Sequence, residues 1–428
     1  MKIKRAHVAV ALTLLAASGI AACLLFRNVA TTATQAKYTK HEYRIRMRDG
    51  VTLFTQVYVP RDTSRQYPIL MQRTPFGIAP YGEGSYRPRL GFSPDFDQSG
   101  YIFVFQDVRG RNQSEGEFVD MRPYVENAPT TESADTSDTI DWLLHNVPGN
   151  NGRVGVWGMS YPGFFAASSI INSHPAIKAA SLQAPMTNLF LGDDAYHNGV
   201  FMLAQQFQIY ASYFRPRAGG PAGPADNISP FNYGTEDGYS FFLKQTPNVD
   251  AAVALANNTW LRDNVQHDIF DSFWQARNIA PHLKNIHCPV LLVGGWFDAE
   301  DLGGTFGTFH AIQQQNPGVP VHFVMGPWGH GDWLRGDGRK IGVVNFGSDT
   351  ATSFRKDVLF RFFEHYLKDG TQPNLPAAQA FETGTNQWRS YDSWPPAGTQ
   401  RTNVYLRNGH RLSFDPPASN DAAYDEYI

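Results

Sequence analysis

"RVGVWGMSYPGFFAASS", residues 153–169, passes from a strand-forming apolar run into a helix-forming one across a single short junction. The first part has the length and β-branched content of a buried strand, and the second the composition of a helix. The junction fits G-x-S-x-x-G, with Gly158, Ser160 and Gly163. A glycine two places before the serine permits a sharp turn that lifts Ser160 above the strand end, at a helix N-terminus. The backbone N–H of Tyr161 is then aimed where an oxyanion would form. A serine hydroxyl is a weak nucleophile until a base takes its proton, and that base must be oriented by an acid. The alternative is that Ser160 merely caps the helix.

Working outward, "YRIRMRDGVTLFTQVYVP" alternates on both sides of Asp49-Gly50, which predicts a β-hairpin. Strands are predicted at "PILMQR", "YIFVFQDVRG", "IKAASLQAP", "CPVLLVGGWFD" and "VHFVMGPW", and helices at "SADTSDTIDWLLHNV" and "GTFGTFHAIQQQ". Strands and helices alternating at this spacing predict an α/β fold, a mostly parallel sheet covered on both faces. Residues 188–284 break the rhythm. They are aromatic-rich and helical in pattern around a Gly/Pro-rich loop, "RPRAGGPAGPADNISP", and read as a cap inserted over the C-terminal edge of the sheet. The sheet-forming parts are therefore 38–187 and 285–369. From 370 to 428 the alternation is that of antiparallel strands, read as the start of a β-sandwich domain that the chain ends before completing.

In the α/β-hydrolase fold the catalytic residues follow in the order Ser, Asp, His. Asp298 ends the strand "CPVLLVGGWFD", and His330 follows "VHFVMGPW". These two complete a candidate triad with Ser160; His310 and His322 lack the strand-end context. Two further carboxylates, Glu300 and Asp301, stand beside Asp298. So much negative charge at the end of a buried strand needs compensation. One resolution is that Glu300 and Asp301 stabilise the N-terminus of the following helix.

The bulk numbers bound the rest. Hydrophobic residues make up 42%, charged residues 18%, and the formal charge is −3 without a basic block in the body of the chain, which argues against a nucleic-acid partner. Residues 1–36 open with Lys2, Lys4 and Arg5 and continue apolar from Val8 to about Phe26, as an export signal does. The expected location is periplasmic or secreted. An uncleaved membrane anchor is the alternative, since about 20 apolar residues span a bilayer; lipoprotein processing at Cys23 is a weaker one. Cys23 and Cys288 are the two cysteines, so the body of the chain has no internal disulfide. Cys288 opens a strand and reads as buried and structural. No ligand spacing or nucleotide-binding glycine loop suggests a metal or cofactor.

"RTPFG", "QDVRGR", "WGMSYPG", "GWFDAED" and "GPWGH", in this order, resemble the cocaine-esterase and X-Pro dipeptidyl-peptidase superfamily of serine hydrolases. Within it the likeness is greatest to α-amino-acid ester hydrolases, also known as β-lactam antibiotic acylases. The resemblance runs from about Tyr38 to the end of the chain. It implies an α/β-hydrolase domain with a helical cap and a C-terminal jelly roll, a triad of Ser160, Asp298 and His330, and a homo-oligomer. It also implies that a cluster of three carboxylates binds the ammonium group of the acyl donor. Glu300 and Asp301 match two of them in D-x-E-D, and Asp194 of "FLGDDAYHNG" matches the third, with Asp193 adjacent and not separable by sequence. The physics agrees: acids converging on a pocket repel one another until a cation enters. The substrate implied is a small ester or amide with a free α-amino group. One position departs from the family. Where the resemblance calls for a tyrosine as second oxyanion donor, the chain has Phe76, and Tyr81 on the same stretch is a candidate substitute. Rival readings are a general carboxylesterase or a dipeptidyl-peptidase of the superfamily, and a non-catalytic hydrolase-like fragment.

Overall fold

The computed structural model describes residues 31–214, 231–235, 238–245, 253 and 257–418. The leader with Cys23, and the Gly/Pro-rich stretch of the cap, fall outside the described residues. Ten strands form one sheet: β1 (Tyr38–Arg46), β2 (Thr52–Pro60), β3 (Tyr67–Thr74), β4 (Ile102–Asp107), β5 (Asn150–Ser160), β6 (Ile177–Pro185), β7 (Val290–Gly295), β8 (Val321–Gly326), β9 (Ala378–Glu382) and β10 (Gln387–Tyr391). Their order is β1-β2-β4-β3-β5-β6-β7-β8-β9-β10. The pairs from β4-β3 to β8-β9 are parallel, while β1-β2, β2-β4 and β9-β10 are antiparallel. This is the α/β-hydrolase fold. The antiparallel opening follows from the predicted hairpin, whose turn at Gly50 has φ 98°.

The central strands are buried on both faces, as Val290–Gly295 shows with every residue buried, so the sheet must be covered twice. One face carries α1 (Glu132–Asn146), α2 (Tyr161–Ser169) and α5 (Leu302–Gln315), and α6 (Arg361–Lys368) covers the other with Phe362, Phe363 and Leu367. Between β6 and β7 come α3 (Leu203–Ser212) and α4 (Thr259–Gln266), part of the predicted cap. Among the described residues no helix is long and apolar enough to cross a membrane. Cys288 is buried, and burial pushes its thiol up to about 12, the inert structural cysteine its strand position predicts.

The C-terminal part differs from the sequence expectation. β9 and β10, read as the opening of a separate β domain after residue 369, join the central sheet. Phe323 of β8 pairs with Ala378 of β9 in parallel register. The junction is locked by side chains. Trp296 Nε1 donates to the Phe381 carbonyl at 2.9 Å, and Trp394 packs on Phe323 with ring centroids 5.7 Å apart. The alternation marks both segments as strands, but alternation alone does not say which sheet a strand joins. A separate two-stranded hairpin, Tyr405–Arg407 with Arg411–Ser413, follows.

Candidate active site

The elbow after β5 forms because two glycines allow it. A Cβ on Gly158 would overlap the Pro162 carbonyl, and one on Gly163 would lie 2.8 Å from the Gln183 carbonyl oxygen of β6. Ser160 itself takes φ 65° and ψ −129°, a conformation costly for a residue with a side chain. Its side chain makes no capping hydrogen bond to α2, so the role of plain N-cap is not the one it plays. Tyr161 is the first residue of α2, where backbone N–H groups lack helical partners.

β7 and β8 are neighbours, with Gly295 opposite Gly326, so the loops after them leave the sheet side by side. This brings Asp298 to His330: His330 Nδ1 lies 3.1 and 3.0 Å from the two Asp298 oxygens. Burial alone would raise Asp298. The hydrogen bond and charge of His330, with the N–H groups of Glu300 (2.9 Å) and Asp301 (3.1 Å), outweigh it and hold the carboxyl below its ordinary range. Ser160, Tyr161, Asp194, Glu300 and His330 line one cavity of about 650 Å³. Trp157, Met159, Leu189, Ile209 and Phe214 give it apolar walls. The His330 ring reaches Ser160 through no direct hydrogen bond among the described residues. Its Nε2 instead lies 3.5 Å from Glu300 Oε2 and 3.9 Å from Asp301 Oδ2.

The structure separates the two aspartates that sequence could not. Asp193 accepts N–H from Thr187 and Asn188, each at 2.8 Å, and from Gly304 in the first turn of α5. It thereby does the helix-capping work that one reading assigned to Glu300 and Asp301. Asp301 stands at the N-cap position of α5 without a side-chain capping bond. Asp194 faces the cavity and accepts from Gln205 Nε2 of α3 at 2.6 Å. Gly303 and Gly304 permit this approach: a Cβ on Gly303 would lie 2.7 Å from the Gly192 carbonyl oxygen. Among the described residues, neither oxygen of buried Asp301 meets an N–H or hydroxyl donor. Burial, then the charges of Asp194 and Asp193, hold Asp301 well above the carboxylate range. Burial raises Asp194 and Glu300 as well.

Phe76 lines the same cavity, its ring edge-on to Tyr213 with centroids 5.5 Å apart. Tyr81 does not replace the missing hydroxyl. Its oxygen donates to Asp107 Oδ2 at 3.0 Å and accepts the Ile78 N–H at 3.3 Å, away from the cavity lining. Sequence reasoning also missed Asp120. Fully buried, it accepts from Tyr161 Oη at 2.6 Å and from Tyr210 Oη at 2.5 Å, joining the helix behind Ser160 to the cap helix α3. A lone aspartate in "GEFVDMRP" carries no local pattern that could have revealed this.

The model of the X-Pro dipeptidyl-peptidase (S15) family matches residues 49–332. The chain is similar to a cocaine esterase of Rhodococcus sp. (strain MB1 Bresler), at 26% identity over 84% of this chain and 61% of that protein. Among solved structures it is similar to an α-amino acid ester hydrolase, at 33% identity and TM-score 0.80, over 91% of this chain and 65% of that one. It is also similar to an aminopeptidase from a marine sediment Thaumarchaeota archaeon, at 32% identity and TM-score 0.77, over 90% of this chain and 63% of that one. The chain thus spans less than two thirds of the length of these relatives. With a matched region that takes in the Ser160 elbow, the Asp298 strand end and the His330 loop, the chain belongs to the X-Pro dipeptidyl-peptidase (S15) family.

Proposed function

We propose that the protein is an exported serine hydrolase that cleaves, or transfers the acyl group of, α-amino-acid esters and amides. Ser160 Oγ attacks the carbonyl carbon, His330 takes the hydroxyl proton and returns it to the leaving group, and Asp298 orients and stabilises the imidazolium. The Tyr161 N–H supports the oxyanion. Asp194, Glu300 and Asp301 hold the substrate ammonium. The observation that carries this reading is the convergence of Ser160, His330, Asp194 and Glu300 on one largely apolar cavity, with Asp298 bonded to the far side of the imidazole. Export rests on the basic start and apolar run of the leader.

Two measurements test it. A fluorophosphonate should label wild type but not Ser160→Ala, and an unlabelled wild type would point to a non-catalytic hydrolase-like protein. Phenylglycine methyl ester should be preferred over its des-amino analogue, with the preference carried by KM and lost in Glu300→Gln. Equal handling of both esters would favour the second reading, a general carboxylesterase, which the likeness to a cocaine esterase supports.

A further inference from the structure

His330 faces carboxylates through both ring nitrogens. Nδ1 is 3.0 Å from Asp298, while Nε2 is 3.5 Å from Glu300 and 3.9 Å from Asp301. Ionised carboxylates only accept hydrogen bonds, and a neutral imidazole donates from one nitrogen alone. A ring placed between acceptors on both sides is therefore best satisfied as imidazolium, with an N–H on each nitrogen. In that form it cannot take a proton from Ser160, although Ser160 and His330 line the same cavity. The contacts that a substrate ammonium would use are thus contacts that disarm the base.

We propose that in the free enzyme Glu300, opposite Asp298, holds His330 as imidazolium, and that the substrate's own ammonium, by taking over this carboxylate, frees the ring to act as base on Ser160. This rests on the amino-acid ester reading above. The charge balance is simple: one ammonium enters, and the Nε2 proton leaves to solvent. Ser160 then passes its hydroxyl proton to Nε2 as the Oγ–C bond forms, and the leaving group takes that proton as its bond to carbon breaks. Because the acyl group keeps its ammonium through the acyl-enzyme, the ring stays competent for the water that follows. Specificity for a free amine then comes from activation as well as from binding.

The surroundings of His330 favour the charged ring. Asp298 and Glu300 face it from the loop after β7, Asp301 from the start of α5 and Asp194 from the cap junction. On its own loop, Asp332 accepts the Gly329 N–H at 3.1 Å, and Arg335 donates to the His330 carbonyl at 2.6 Å. Of these only Arg335 is cationic. Burial pushes His330 down, but the hydrogen bond and charge of Asp298, followed by Glu300 and Asp194, more than offset it and leave the ring above its ordinary value.

The test is the acidic limb of kcat against pH, which reports the enzyme–substrate complex. For phenylglycine methyl ester the limb should lie about one unit or more below that for the des-amino ester, the size of shift one nearby charge produces. In Glu300→Gln the two limbs should converge, the des-amino limb moving down. If the des-amino ester turns over too slowly to titrate, the rate of Ser160 labelling by a neutral fluorophosphonate gives the same limb, and methylammonium should lower it. Coincident limbs in wild type, or a labelling limb unmoved by methylammonium, overturn the proposal even where KM still favours the amine. Failure of the underlying reading looks different: KM would then not distinguish the two esters.

Discussion

Ser160 sits in a strained conformation that only its surroundings can maintain, and the surroundings depend on glycine. Gly158→Ala drives a methyl into the Pro162 carbonyl, so it should cost about 3 kcal/mol or more and appear as lost soluble yield or a lowered unfolding midpoint. Phe76 is a different kind of residue. It lines the cavity but cannot donate, and Tyr81 is committed to Asp107. Removing one oxyanion donor typically costs on the order of 10²–10³ in rate. Phe76→Tyr should therefore raise kcat on an activated amino-acid ester by about tenfold or more; an unchanged kcat would mean that the ring does not face the oxyanion. These two residues also differ in legibility. The glycines, the serine and the aromatic substitution stand in short local motifs, whereas Asp193 and Asp194 are neighbours with identical side chains. Their difference comes from backbone partners, Thr187, Asn188 and Gly304, that only the folded chain supplies.

Elements are tied together by side chains that their own sequence does not flag. Asp120 joins α2, which carries the elbow, to α3, which carries Gln205 and the cap wall. Burial raises Asp120, and the two tyrosine hydroxyls counter it. Asp120→Ala leaves two buried hydroxyls short of an acceptor, so it should destabilise by about 2–5 kcal/mol. Because the cap wall loses its anchor, KM should rise more than kcat falls; an unaltered KM would separate the cap from this clamp. The strands β9 and β10 make the same point for a whole segment. Their alternation was visible, but their place beside β8 depends on Trp296 and Trp394 meeting Phe381 and Phe323 across the sheet edge.

At the scale of the whole molecule, buried acids set the dependence of stability on pH. Burial, opposed by backbone N–H groups, pushes Asp193 up to about 7, and Asp301 is held well above its ordinary value of 3.8. Between the unfolded value and the folded one, the native protein keeps a proton that the unfolded chain has released. Stability from such groups is therefore full at low pH and lost as pH rises, at about 1.4 kcal/mol per group per pH unit. His330, raised in the fold, acts in the same direction over a higher range. The unfolding temperature should thus fall between about pH 4 and 7, and Asp301→Asn, which removes one such proton, should flatten the decline. A slope equal to wild type would mean that Asp301 does not hold a proton in the fold.

The sequence by itself determined the strand and helix alternation, the hairpin at the start, the elbow and the order Ser160, Asp298, His330. These rest on local physics: the period of apolar residues, the room that glycine leaves, and the tendency of strand ends to carry polar residues outward. Only the tertiary structure decided which sheet β9 and β10 join, which of two adjacent aspartates faces the cavity, that Tyr81 turns to Asp107, and that Glu300 and Asp301 reach Nε2 of His330. Each of these depends on groups far apart in the chain meeting in a low-dielectric interior, where partnership and desolvation, rather than residue type, set what a side chain does.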